Sequence, residues 1–344
     1  MMKEVLKYRN QIYGLCAIWI VLFHIQRRLG FPEIPIITPL LEMGNLGVDI
    51  FMFLSGYCLC LSFKRNNDLR RFFGKRVTRV VIPYLIITTP YLLYKSFVVG
   101  KNMSFLIQVK SFFVNLTGLS FWIDGFQTSW FVHAIIVLYC LFPFFYYIVS
   151  KGKLSGIALI VLTYLFVLVN YCYSPIFEKN AIALCRFPVF ILGILMAYHN
   201  WDVALNKRNL IISLIYLIIL IWIIPTKKVL SGFFSYGYTS LFLFFITMVI
   251  PSMVLMVPIV KRSKGFINQF FLFTGGLSLE IYMIHIMILN IMRDYSFIQE
   301  GVKVNSLEGC AYYLLVIILT SLLAYGFSIF TKKFIISRIE HSKE

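Results

Sequence analysis

The sequence predicts an all-α, polytopic membrane helical bundle of about ten transmembrane helices, with both termini in the cytoplasm. Three observations predict it. Apolar residues make up 60% of 344. They are gathered into segments of roughly 16 to 22 residues, the length that crosses a hydrocarbon core. Lys and Arg collect in alternate connections, as they do in proteins sorted by positive charge on the inner side. No soluble domain of this size could hide so much apolar surface, so the excess faces lipid.

The segments run at about 11–29, 44–63, 80–98, 128–149, 155–173, 183–199, 209–225, 234–258, 270–292 and 309–331. Pro251 and Pro258 predict a kink or a late end in the eighth. No internal repeat is apparent, which weighs against an inverted-repeat transporter. A single domain over 1–344 follows.

With the N-terminus inside, Lys64, Arg65, Arg70, Arg71, Lys75, Arg76 and Arg79 all fall in one cytoplasmic connection, and Lys332 and Lys333 close the last segment. The pair Arg27-Arg28 goes against the rule: it either binds an anion outside or simply ends the helix. The stretch Met1 to Arg9 runs into the first segment with no small-residue cleavage site, so no cleavable signal is expected. A multi-pass protein of the cytoplasmic (inner) membrane is the expected location. The net charge of +18 is assigned to topology and anionic lipid headgroups, with no nucleic-acid partner. The seven cysteines lie almost all in apolar segments without metal-ligand spacing, and read as packing residues; no metal is expected.

Ionisable groups at membrane depth are costly and usually mark function. His24 lies inside the first segment, in Trp19-Ile-Val-Leu-Phe-His24, and Asp49 interrupts Gly47-Val-Asp-Ile-Phe-Met-Phe-Leu-Ser-Gly56 in the second. Counting a rise of 1.5 Å per residue, His24, Asp49, His133 and Arg186 share the outer half. Glu280 and His285 fall nearer the inner third and the middle, on different faces of their helix. The connection between the second and third segments is the opposite signal. Arg71, Lys75 and Arg79 recur four apart, with Arg76 alongside. Such a stripe either holds phosphates or only anchors the membrane face.

Taken in order, these pieces resemble acyltransferase family 3, the integral-membrane acyltransferases. The resemblance covers most of the chain. It rests on the first-segment histidine, Gly47 to Tyr57, Phe73-Gly-Lys-Arg-Val-Thr-Arg79 with Pro83-Tyr84, and Trp130-Phe131 with Tyr139 and Pro143. Arg186-Phe-Pro-Val-Phe-Ile-Leu-Gly193 and Gly276-Leu-Ser-Leu-Glu-Ile-Tyr-Met-Ile-His285 complete it. The resemblance implies transfer of an acyl group, usually acetyl, from cytoplasmic acyl-CoA to a hydroxyl of a cell-surface glycan. The stand-alone members acting on capsular, exo- or O-antigen polysaccharide are the most similar. Many members carry an Arg eleven residues before the histidine; Tyr13 stands there in this chain, and Arg9 lies one turn further in. The acidic pair that many members carry in the fourth segment falls on Ile135 and Ile136.

For the transfer, His24 is expected to act as general base with Asp49 orienting it, or to carry the acyl group itself. Asp49 equally suits a helix-start cap beside Gly47. Arg71, Lys75, Arg76 and Arg79 are the candidates for the phosphates of acetyl-CoA. Trp130, His133 and Arg186 are candidates for the glycan or lipid-linked glycan acceptor, with His285 and Glu280 as further substrate-binding candidates. Structural hydrogen bonding suits His133 as well. The rival classes are a transporter or flippase for a lipid-linked glycan or small anion, and a non-catalytic scaffold. Membrane lipid is the remaining partner, and a homo-oligomer is left open.

Overall fold

The structure, a computed structural model, describes residues 1–29, 37–125, 128–173, 175–223, 238–295, 297 and 306–341, and is helical throughout with no strand among them. Each of the ten apolar segments is mostly helical over its described residues, with turns at 128–129, 185–186, 199 and 277. Residues 224, 225 and 234–237, which the seventh and eighth segments also claim, lie outside them. Among the described residues, five helices are long and apolar enough to cross a membrane, and a sixth if one bent pair counts as a single span.

The first segment is α1 (Arg9–Leu29) and the second α2 (Leu46–Arg65). The basic connection is itself helical, α3 (Leu69–Arg76). It runs through a π-helical stretch, Val77–Val81, into α4 (Ile82–Leu93) and a second such stretch, Tyr94–Val99. The third segment therefore begins some ten residues before its apolar part, because amphipathic α3 continues its helix path. Two short helices, α5 (Phe105–Leu116) and α6 (Leu119–Asp124), lead to α7 (Trp130–Ser150). There follow α8 (Lys153–Tyr173), α9 (Pro175–Leu184), α10 (Phe187–Tyr198), α11 (Lys207–Ile223) and α12 (Tyr238–Arg262).

The ninth segment departs from expectation. It is broken into α13 (Gly265–Gly276) and α14 (Ser278–Asp294), which meet at 81°. Gly275 and Gly276 remove the side chains that favour helix there, and the Thr274 hydroxyl bonds back to the Phe270 carbonyl at 2.8 Å. The chain closes with α15 (Ser306–His341).

Small residues set the closest helix crossings. A methyl at Gly56 would overlap the Phe190 carbonyl, and one at Gly193 the Phe53 carbonyl, so α2 and α10 touch backbone to backbone. In the same way Gly275 of α13 meets the Asn10 carbonyl of α1. In lipid, where apolar side chains gain nothing by leaving one apolar medium for another, such close approach supplies the packing that holds helices together. One polar contact joins α2 to the turn before α10. Arg186 Nε lies 3.1 Å from Asp49 Oδ1, with the two side chains 1% and 0% exposed.

The ends of the helices sort into two sets. At one end, the Met2 N–H donates to Asp202 at 2.9 Å, Lys64 donates to the Tyr198 carbonyl at 2.8 Å, and Lys261 pairs with Glu4 at 3.4 Å. At the other, Tyr313 donates to Gln26 at 2.7 Å and Lys95 pairs with Asp294 at 3.0 Å. The basic helix α3 belongs to the first set.

Candidate active site

The site is built from α3 inward. Asp68 caps α3, accepting the Arg71 N–H at 3.2 Å. Phe72 stacks on Phe142 at 5.0 Å and meets Phe63 edge-on at 5.8 Å. With that face pinned to the bundle, the cationic face turns toward the start of α1 and the end of α2. There Arg9, Arg65, Arg71, Lys75, Ser62 and Asn66 line a cavity of about 430 Å³. Arg76 lies at its back, its guanidinium 5.7 Å from the Phe72 ring and 5.5 Å from the Tyr139 ring. Both rings offer a negative face that suits the cation.

Beyond Arg9 and Arg76 lies a second cavity of about 520 Å³, lined by Tyr13, Phe51, Ser55, Arg79, Phe131, Tyr139 and Tyr282 among others. The two cavities share Arg9, Cys58, Ser62 and Arg76. Polarity changes along the way, from clustered cations at the mouth to aromatic side chains at depth. Four rings touch in series along the inner wall. Tyr13 and Phe51 are 5.3 Å apart, Phe51 and Phe131 6.1 Å, and Phe131 and Tyr282 4.9 Å.

Tyr282 borders a pair of histidines. Its ring centroid is 5.9 Å from that of His285. His285 Nε2 lies 3.2 Å from His24 Nδ1. Each ring is also tied to its own helix: His24 Nδ1 is 2.9 Å from the Ile20 carbonyl and His285 Nδ1 is 2.8 Å from the Ile281 carbonyl. His285 is fully buried, while His24 is partly open. Tyr282 is thus the link between the second cavity and the imidazole pair.

The family model for an acyltransferase domain matches residues 10–329. The chain belongs to acyltransferase family 3. No curated protein and no solved structure shows significant similarity to it.

In this acyltransferase the residues expected from sequence fall into three places. Arg71, Lys75 and Arg76 line the outer cavity and Arg79 the inner one. Arg9, a turn inward of the position where relatives carry an Arg, lines both, with Nη1 3.8 Å from Cys58 Sγ. Tyr13 lines the inner cavity. His24 and His285 form the pair.

Asp49 stands apart from it. Both of its oxygens face Arg186, whose Nη2 lies 3.4 Å from Oδ2, so the carboxylate does not orient His24. The physical reason is the depth of both groups: a buried carboxylate needs a cation more than an imidazole does. Arg186 in turn donates to the Ile182 carbonyl at 2.6 Å and lies 5.0 Å from the Trp130 ring. Trp130 and Arg186 thus cover each other, rather than presenting a bare aromatic face to a sugar. His133 is buried against Tyr84, whose hydroxyl lies 2.9 Å from its Nε2 and donates to the Leu116 carbonyl at 3.1 Å. Glu280 occupies the first turn of α14, five residues before His285.

The pairing of His24 with His285 escaped the depth count because that count assumed an unbroken ninth helix. The 81° bend at Leu277 lifts α14 away from the straight path, and His285 arrives at the level of His24. The Gly275-Gly276 pair was the available signal. Among the described residues, no group of three or more His, Cys, Asp or Glu side chains converges as metal ligands would.

Proposed function

We propose that this acyltransferase moves an acyl group, acetyl in the first instance, from CoA to a hydroxyl of an extracytoplasmic or lipid-linked glycan. The observation that carries this reading is the pair of adjoining cavities that share Arg9 and Arg76. Arg9, Arg71, Lys75 and Arg76 supply cations where the phosphates of CoA would rest, and the second cavity adds aromatic walls, among them Tyr282, whose ring lies 5.9 Å from that of His285. The cationic end is then the cytoplasmic one, which puts the N-terminus inside, in line with the positive-inside rule. The long, thin pantetheine arm suits the adjoining cavities, since it carries its thioester far from its charged end.

His24 is the acting base in this proposal. Its imidazole takes the proton from the acceptor hydroxyl, and the oxygen attacks the thioester carbonyl. The C–S bond breaks, and the CoA thiolate leaves with the proton that His24 took. A relay through acyl-His24 balances in the same way, with Nε2 as the attacking atom and the sugar hydroxyl as the second acceptor.

The test is thiol release from acetyl-CoA by protein in nanodiscs, with and without glycan from the host envelope. Release that grows with glycan and is lost in His24→Ala supports the transfer. Binding of CoA without turnover on any glycan refutes the acceptor and leaves the donor. No binding of CoA refutes the donor, and turns the two cavities into a path for some other anion, as a transporter would use.

A further inference from the structure

The two histidines constrain each other's protons. A carbonyl oxygen only accepts, so the ring nitrogen beside it must carry the hydrogen. His285 Nδ1, 2.8 Å from the Ile281 carbonyl, is therefore N–H. In the neutral ring this leaves Nε2 of His285 as a bare lone pair. That lone pair faces His24 Nδ1 at 3.2 Å, which also faces the Ile20 carbonyl at 2.9 Å. Two acceptors converge on His24 Nδ1, so it too carries hydrogen. By elimination Nε2 of His24 holds the free lone pair.

We propose that His285 is a positioning residue, a neutral hydrogen-bond acceptor that shares the His24 Nδ1–H with the Ile20 carbonyl, holds the ring in place and so presents Nε2 as the base. The inference rests on the acyl-transfer reading for its consequence, but not for its geometry. When Nε2 takes a proton, the His24 ring becomes a cation, and its Nδ1–H bond to His285 becomes charge-assisted and stronger. The bond thus favours the protonated ring more than the resting one. His285 is itself immobilised: it is fully buried on the first half of α14, against Tyr282, with its second nitrogen tied to its own helix. A merely packed histidine would not need a lone pair aimed at a neighbour's N–H.

The experiment labels histidine with ¹⁵N. There are five in the chain, so each ring can be assigned by substitution in nanodiscs. The wild type is expected to show His24 with a protonated Nδ1 and a bare Nε2. His285→Ala should keep that tautomer, which the Ile20 carbonyl still fixes, but shift the Nδ1–H signal because its second acceptor is lost. His285→Gln, whose amide oxygen can stand where Nε2 stood, should restore the wild-type signal, whereas His285→Asn is too short to do so. In thiol release, His285→Ala should lower kcat by about 10²- to 10⁴-fold. KM for acetyl-CoA should stay within about twofold, because the cation-lined cavity is untouched. Gln should recover at least about tenfold of the loss, a modest share of what such a positioned base supplies.

The proposal is overturned if His24 carries its hydrogen on Nε2, or if its Nδ1–H signal is the same in His285→Ala as in the wild type. It is also overturned if Gln is no better than Asn while both fold. A wild type inactive on every acceptor would sink the transfer reading alone, because the nitrogen spectra still decide the hydrogen bond.

Discussion

Replacing Asp49 by Asn removes one charge from a pair that the bundle hides completely. The partner atoms are 3.1 Å apart and no more than 1% exposed. Breaking such a pair costs about 3–5 kcal/mol, most of it from the charge left behind. Arg186 keeps its bond to the Ile182 carbonyl and its contact with Trp130, so the lower part of that range applies. With about 2–4 °C per kcal/mol for chains of 150–250 residues and less for longer ones, the melting temperature should fall by roughly 5–10 °C. Tryptophan fluorescence during a thermal ramp in nanodiscs measures this directly, since Trp130 packs on Arg186. The double change Asp49→Leu with Arg186→Met removes both charges and keeps apolar bulk, and should recover most of the stability. It should also recover thiol release, because neither residue touches the histidine pair. A double variant that melts like the wild type but stays inactive would refute this, and would return Asp49 to a role beside His24.

Four further outcomes follow from the same geometry. Arg76→Ala should raise KM for acetyl-CoA by about 10- to 100-fold, the worth of a charge-assisted bond to phosphate, with kcat little changed; an unchanged KM at low salt would place the phosphates elsewhere. Tyr282→Ala opens the inner wall beside His285 and should raise KM less than it alters the choice among acyl chain lengths, read by competition between acetyl- and longer acyl-CoA. Gly193→Val puts two methyls into the Phe53 carbonyl and should abolish folding, seen as loss of the monodisperse peak in detergent, whereas Gly74→Ala, where nothing lies within 4 Å, should not. Asp202 lies outside the spans. Burial pushes its carboxyl up, but the bonds from the Met2 and Val203 N–H groups, with the Met1 amino group, hold it below the usual carboxylate range. A depressed value means that its contribution is present above the unfolded pKa and is lost as pH falls through the folded one. Residues 1–8 should therefore gain hydrogen exchange under acid conditions, and already at neutral pH in Asp202→Asn.

Much of the fold was legible because its signals are local. Apolar length found the long helical segments, and charge found the end at which Arg71, Lys75 and Arg76 gather, with the four-residue spacing of a helix. What was not legible depended on how helices meet. The helix Leu69–Arg76 is held by Phe72, which finds Phe63 and Phe142 from other helices. Asp49 and His24 read as partners by depth, yet the deciding term was a cation 137 residues away in sequence. His285 read as too deep, because a bend of 81° cannot be counted from rise per residue. In each case the partner was set by tertiary packing.

The choice of a second histidine, rather than a carboxylate, to hold His24 has a physical logic. A carboxylate at that depth would have to be ionised to accept the Nδ1–H well, and an ionised carboxylate without a cation is costly in lipid. The one acid on the neighbouring helix, Asp49, meets that cost through Arg186, and a group so engaged has little to offer an imidazole. A neutral histidine accepts a hydrogen bond without bringing charge into the site. It leaves the resting pair uncharged, so no counter-ion has to follow it into the bundle. The cation that forms on His24 during transfer lasts only until the CoA thiolate takes its proton. On this logic His285→Glu should be worse than His285→Gln despite being the stronger acceptor, since Glu brings a lasting charge into the resting site. Thiol release by the two variants at equal folded protein decides the matter: Glu above Gln would mean that the site tolerates a lasting charge, and the case for a neutral acceptor would fail.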